Sequence, residues 1–158
     1  MKYNITSNLG LIIIIIILTS VAGADVCSDQ YSDECLYSKM IAKKEEYPEG
    51  TRWTNDNCYS SKYIGGGCGC AGFAYLLSDV CFGEIKAKKL DVCSDFKVGD
   101  VVRINPNTHS IFILKIDTSN EIITIAEGNY ASTIHWGRTF KISALKGNCN
   151  YILRRNPS

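Results

Sequence analysis

Three kinds of residue in this chain could cooperate to cleave an acyl bond: a cysteine, a histidine, and a carboxylate or carboxamide to steady the histidine. Cys70 is the candidate nucleophile. It follows a glycine-rich run, Gly65-Gly66-Gly67-Cys68-Gly69, and opens the apolar segment Ala71-Gly72-Phe73-Ala74. If that segment is a helix, Cys70 lies among its unpaired amides, where the helix dipole favours a thiolate. A thiolate is the attacking group of cysteine hydrolases. The small neighbours Gly69, Ala71 and Gly72 leave room for a substrate. The competing reading is that Cys70 is one half of a disulfide. The glycine run is not a phosphate loop, because no Gly-Lys-Ser/Thr follows it.

His109 and His135 are the only histidines. His109 follows a Pro-Asn-Thr turn and begins a strand, a good position beside a cleft. His135 lies inside a strand next to Trp136. Hairpin geometry adds a third party. With a three-residue loop, Thr118 to Asn120, His109 faces Asn129, and Glu127 lies two residues along on the same sheet face. A four-residue loop would send those side chains to the other face. Glu127 or Asn129 would fix the imidazole tautomer and steady the imidazolium, as the third member of a triad does. The alternative for both is a solvated strand end.

The elements that must position these residues are legible in outline. Ser32 to about Lys44 reads as a helix, capped by Ser32 with Asp33 and Glu34 in its first turn. Tyr47-Pro48-Glu49-Gly50 breaks it, and Trp53 to Gly69 reads as irregular. Cys70 to Val80 reads as a second helix, with Ala71, Phe73, Ala74 and Leu77 on its buried face and Gly83 as its stop. Beyond Phe96 the pattern turns to β. Strands are expected near Val101–Ile104, His109–Ile116, Glu121–Glu127, Ile134–Phe140 and Tyr151–Arg154. The fold class is α+β, in one domain.

Composition narrows the functional classes. The chain has 158 residues, a net charge of +1 and eight cysteines. A near-neutral charge argues against a general nucleic-acid binder. Lys2, the apolar run Leu9–Leu18 and the small residues Ala22-Gly23-Ala24 have the layout of a secretory signal peptide over residues 1–24. The run is short for an uncleaved membrane span. Cleavage would remove Lys2, bring the net charge to zero and keep all eight cysteines. Cys58 with Cys68 and Cys81 with Cys93 are pairs at short spacing, and Cys27 with Cys35 or with Cys149 is a further candidate. Cys68 and Cys70 are too close to bridge comfortably. If Cys70 is free, parity requires a second unpaired thiol. Cys68-x-Cys70 lacks a matching pair at zinc-finger spacing, so no metal is expected.

Five motifs follow in order: Tyr47-Pro48-Glu49-Gly50-Thr51-Arg52-Trp53, Cys70-Ala71-Gly72-Phe73-Ala74, Phe96-Lys97-Val98-Gly99-Asp100-Val101-Val102, His109-Ser110-Ile111-Phe112-Ile113 and Glu127-Gly128-Asn129-Tyr130. Trp136-Gly137-Arg138-Thr139 comes after them. In this order and spacing the chain resembles the CHAP amidase/peptidase family of the papain-like NlpC superfamily, especially its secreted bacterial members. The resemblance covers roughly Tyr47 to Leu153. It implies a papain-like fold with N-terminal helices packed on an antiparallel sheet. It also implies a domain over 47–158, preceded by a helical segment over 25–46. Cys70 would be the nucleophile, His109 the base and then the acid, and Glu127 and Asn129 the orienting pair.

The resemblance departs at Gly69. That family often carries Gln there, whose amide helps hold an oxyanion; Asn57 or Tyr59 are substitute donors. The aromatics Trp53, Tyr130 and Trp136 would line a substrate cleft, with Tyr47, Tyr59 and Tyr63 nearby, unless they are core packing. The expectation is therefore a secreted, monomeric cysteine amidase or peptidase acting on peptidoglycan or a peptide. It would use no cofactor, bind no nucleic acid and stay out of the membrane after signal cleavage. Two other readings compete: a secreted binding module on the same fold, and a disulfide-rich structural or toxin-like protein.

Overall fold

A computed structural model describes residues 27–157; the expected signal segment lies outside them. Helix α1 (Asp33–Ala42) starts where the sequence asks it to. Ser32 is extended and its hydroxyl accepts from the Cys35 amide at 3.3 Å. The acidic pair Asp33 and Glu34 faces the positive end of the dipole. Leu36 and Met40, four residues apart, form its fully buried stripe.

Residues 53–69 are more ordered than their composition suggests. Strand β1 (Cys58–Ser61) and strand β2 (Gly65–Cys68) form a small antiparallel hairpin. Cys58 faces Cys68 at its open end, and a disulfide joins them. Glycines carry no β signal of their own, so the cross-link and the turn hold this ladder together. Helix α2 (Cys70–Phe82) follows at once. Phe73, Ala74, Leu77 and Cys81 bury one face of it, and Gly83 stops it at φ +52°.

The second half is a six-stranded antiparallel sheet. Its strands are β3 (Lys88–Leu90), β4 (Val101–Ile104), β5 (His109–Asp117), β6 (Ile122–Tyr130), β7 (Thr133–Lys141) and β8 (Cys149–Arg154), in the order β3-β8-β4-β5-β6-β7. Val101, Phe112, Leu114 and Ala126 meet α1 and α2 on one face, sharing a core with Leu36, Phe73, Leu77 and Trp136. Val102, Ile111, Ile113, Ile125 and Ile152 pack on the other, around Leu145. Leu145 belongs to helix α3 (Ile142–Asn148), which the sequence pattern did not reveal. The short strand β3 was not expected either. With both faces covered, β5 is buried without a break from Ser110 to Leu114 and apolar from Ile111 on, rather than alternating.

Three disulfides form: Cys27–Cys35, Cys58–Cys68 and Cys93–Cys149. The expected Cys81–Cys93 pair does not. Cys81 points into the core from α2, its thiol toward the Leu36 carbonyl, while Cys93 lies in the loop that meets the start of β8. Cys70 and Cys81 are the free cysteines, so parity is met by a buried thiol. Three disulfides are consistent with an extracellular protein. Among the described residues no helix is long and apolar enough to cross a membrane.

Candidate active site

Cys70, His109 and Glu127 come together although they lie on α2, β5 and β6. Cys70 is the first residue of α2. Its approach is fixed from both sides: the Gly69 amide donates to the Asn57 carbonyl at 2.8 Å, and the Trp53 indole donates to the Gly69 carbonyl at 2.8 Å. Gly69 itself has φ +57° and ψ −128°, a conformation costly for any residue with a Cβ. A Cβ there would meet Asn55 Oδ1 at 2.4 Å and Asn129 Nδ2 at 2.7 Å. The side chain missing at position 69 is thus replaced in space by two carboxamides. Asn129 Nδ2 donates to Asn55 Oδ1 at 2.8 Å.

His109 reaches Glu127 directly. Its Nε2 lies 2.7 Å from Glu127 Oε2, which leaves Nδ1 for Cys70. Glu127 is 1% exposed and also accepts from Arg138 through its other oxygen. The Arg138 guanidinium stacks on the Tyr130 ring, 3.8 Å from its centroid. One buried carboxylate is therefore held between imidazole and guanidinium. Both its oxygens are used, which fixes its plane and the plane of the ring.

The electrostatics follow from this geometry. Burial favours a neutral Cys70 thiol. The hydrogen bond from His109, the Ser110 amide and the charges of His109 and Arg103 together outweigh it and bring the thiol down to about 7. Burial also opposes charge on His109, but hydrogen bonds to Cys70 and Glu127, and their charges, push the imidazole up to about 9. Both shifts favour a thiolate–imidazolium pair, between about 7 and about 9. Arg103 on β4 also reaches the sulfur, with Nη1 3.7 Å from Sγ.

The three-residue hairpin loop expected from the sequence does not form, and a bulge compensates for the extra residue. The β5–β6 loop has four residues, Thr118–Glu121, and next to it Asp117 faces Ile122 and Lys115 faces Thr124. That phase would turn His109 and Glu127 away from one another. A bulge at Leu114 absorbs one residue, so that Ile113 faces Ile125 and Phe112 faces Ala126, the phase expected of a three-residue loop.

Several expected site residues take other places. Asn129 has φ +58° beside a break in the β6–β7 ladder, and it turns toward Asn55 and Gly69 rather than His109. Trp53 and Trp136 do not line a cleft: both are buried, each in edge contact with Phe73. Trp136 donates to the Tyr47 carbonyl, much as Trp53 does to Gly69. Tyr130 is exposed, 6.3 Å from the His109 ring, and does border the site. Of the substitute donors, the Tyr59 hydroxyl is committed to Asp79, and Asn57 Oδ1 accepts from the Thr54 amide. His135 is held by Glu49 and Thr133.

Three contributors were missed. Arg138 sat in a motif already singled out. Arg103 is a charged residue inside the apolar run Val101–Ile104, which was the available signal. Asn55 offered none. A groove of about 370 Å³ between α1 and β5, lined by Asp33, Tyr37 and Leu114 among others, lies apart from the site and holds no histidine or cysteine.

No family model and no curated protein sequence matches the chain. Among solved structures it is similar to the crystal structure of Ly7917, with a TM-score of 0.54 and 11% identity over 78% of this chain and 62% of that one. The likeness is one of fold. A second structure, Ly7917 with the hydrolyzing product of MDP, gives a TM-score of 0.49 and 10% identity over 79% and 63% of the two chains. The chain spans less than two thirds of that protein's length.

Proposed function

We propose that this chain is a secreted cysteine amidohydrolase of the papain-like CHAP type, acting on amide bonds of peptidoglycan or a related peptide. The observation that carries this reading is the Cys70–His109–Glu127 relay, with the thiol lowered to about 7 and the imidazole raised to about 9. A structural cysteine has no need of such partners, and the other free thiol illustrates the difference: burial pushes Cys81 up to about 12.

The chemistry follows from the parts. The Cys70 thiolate attacks the carbonyl carbon. The oxyanion so formed meets the Cys70 amide in the unpaired first turn of α2. Beside Gly69, where Gln stands elsewhere, the nearest side-chain donor is the Asn129 carboxamide nitrogen, held by the Asn55 oxygen. His109 gives its proton to the departing nitrogen, the C–N bond breaks, and an amine leaves behind a thioester. Neutral His109 then takes a proton from water as the water attacks, the acid product departs, and the thiolate–imidazolium pair is restored. Glu127 holds the ring in one tautomer throughout, and Arg138 holds Glu127.

Purified cell-wall sacculi and muropeptides, with products read by mass spectrometry, provide the test. The wild type is expected to release new amino groups. Cys70→Ala and His109→Ala are each expected to abolish release with thermal unfolding little changed. Cleavage retained in either variant would sink the assignment. Wall binding without cleavage by the wild type would make the chain a binding module instead.

A further inference from the structure

Arg103 is out of keeping with the other buried and half-buried arginines. Arg138 pairs with Glu127, Arg154 with Asp95 and Asp100, and Arg155 with Asp79. The contacts of Arg103 are the Asn107 side chain at 3.1 Å, the Asn107 carbonyl at 2.7 Å, the Ser110 hydroxyl at 2.9 Å and the Cys70 sulfur at 3.7 Å. None of these carries a formal negative charge except the thiolate.

The position is built rather than incidental. Arg103 faces Ser110 across β4 and β5, and Ser110 is buried. The turn before β5 supplies both Asn107 contacts, so the guanidinium plane is fixed at three corners. It is half-buried, which weakens solvent screening and strengthens its field at the sulfur. The first turn of α2 and the His109 imidazolium add to that field. After acylation the sulfur is neutral, and the guanidinium then has no anion beside it.

We propose that Arg103 is the specificity residue of the site and selects substrates carrying a carboxylate on a residue that flanks the scissile amide. This rests on the amidohydrolase reading. A carboxylate next to the reacting carbonyl comes within reach of Nη1, because the carbonyl carbon itself must approach the sulfur that Nη1 already touches. An arginine suits this role better than a lysine, since its fork stays planar while bound to Asn107 and Ser110. The carboxylate has two possible sources, the acyl residue or the departing residue.

Two experiments separate this inference from the reading beneath it. The first needs no turnover. Iodoacetate and iodoacetamide both alkylate a thiolate with loss of iodide, but only iodoacetate is an anion. Their rate ratio cancels the thiolate fraction and reports the local charge. Peptide mapping assigns the adduct to Cys70; Cys81 is 4% exposed and its thiol stays protonated. The ratio is expected to exceed that of a small free thiol by ~10-fold, to fall by most of that in Arg103→Gln, and to recover in part in Arg103→Lys. Equal ratios in wild type and Arg103→Gln would overturn the proposal. Should Arg103→Gln not fold, Arg103→Lys and the wild-type comparison with a free thiol decide.

The second experiment compares amide substrates that differ only in carboxylate against carboxamide, one pair on the acyl side and one on the leaving side. A preference of ~10-fold or more in kcat/KM for one carboxylate, lost in Arg103→Gln, supports the proposal and names the side. Turnover with no preference in either pair overturns it while leaving the amidohydrolase standing. An Arg103-dependent alkylation ratio with no turnover of any amide would sink the enzyme and keep the anion site.

Discussion

Replacing Glu127 with Gln tests whether a buried carboxylate is what keeps His109 charged. Glu127 Oε2 lies 2.7 Å from His109 Nε2 and the carboxylate is 1% exposed, so water does little to screen the pair. A hydrogen bond to a charged group contributes ~1.5–3 kcal/mol. At about 1.4 kcal/mol per unit, its loss lowers the imidazole by about one to two pH units from its value near 9. The thiol depends on that imidazolium, so its own value climbs from about 7. The window in which thiolate and imidazolium coexist then narrows from both sides. Arg138 keeps about a third of its surface in water, which limits the stability lost to ~1–3 kcal/mol. NMR titration of labelled histidine measures the effect directly, because the chain has only two histidines. Iodoacetamide alkylation against pH follows the thiolate in parallel. An His109 that titrates within ~0.3 of the wild-type value would refute the reasoning, whatever happens to turnover.

Other outcomes follow from the same geometry. The thiolate form requires pH above about 7 and the imidazolium pH below about 9, so kcat/KM is expected to trace a bell between limbs that belong to the pair; a rate still rising beyond pH 10 would contradict this. Gly69→Ala forces a Cβ into Asn55 at φ +57°, and is expected to cost ~1–3 kcal/mol and slow alkylation of Cys70; an unchanged Tm would show that the turn is not constrained as described. The Cys93–Cys149 disulfide spans 56 residues and Cys27–Cys35 only 8, so losing the first is expected to cost ~4 kcal/mol and the second ~2.5 in chemical denaturation. Equal losses would point away from loop entropy as the cause.

What could be read from the residues was whatever local rules govern. Ser32 followed by Asp33 and Glu34 announced α1, and Cys70 between Gly69 and an apolar run announced α2, because caps and helix faces are short-range signals. The pairing of His109 with Glu127 was reached from a three-residue loop that the chain does not have; its four loop residues and the bulge at Leu114 together restore that phase. The misses share a cause. Cys81 looked like a partner for Cys93 by spacing, but spacing cannot tell that its side chain points inward beneath α1. Trp53 and Trp136 looked like cleft walls because aromatic rings serve both surfaces and cores; Phe73 decides between them. Asn129 was expected beside His109, and a positive φ at Asn129 turns it to Asn55 instead. Helix α3 is one short, largely exposed element held to the core by Leu145 and Ile142. Each of these depends on contacts between residues far apart in the chain.

The extra residue at Leu114 has a consequence for how this hairpin can vary. The tip of β5–β6 and the His109 end of the same strands are out of step by one residue, and Leu114 is where the count is reset. The length of the tip and the bulge thus set the facing of His109 together. A shortened loop that kept Leu114 looped out would rotate His109 to the wrong side of the ribbon. The same shortening with Leu114 drawn back into the ladder would leave it in place. Length changes at this turn are therefore tolerable in compensating pairs, and a lineage of such chains should show gain or loss at the tip matched by gain or loss of the bulge.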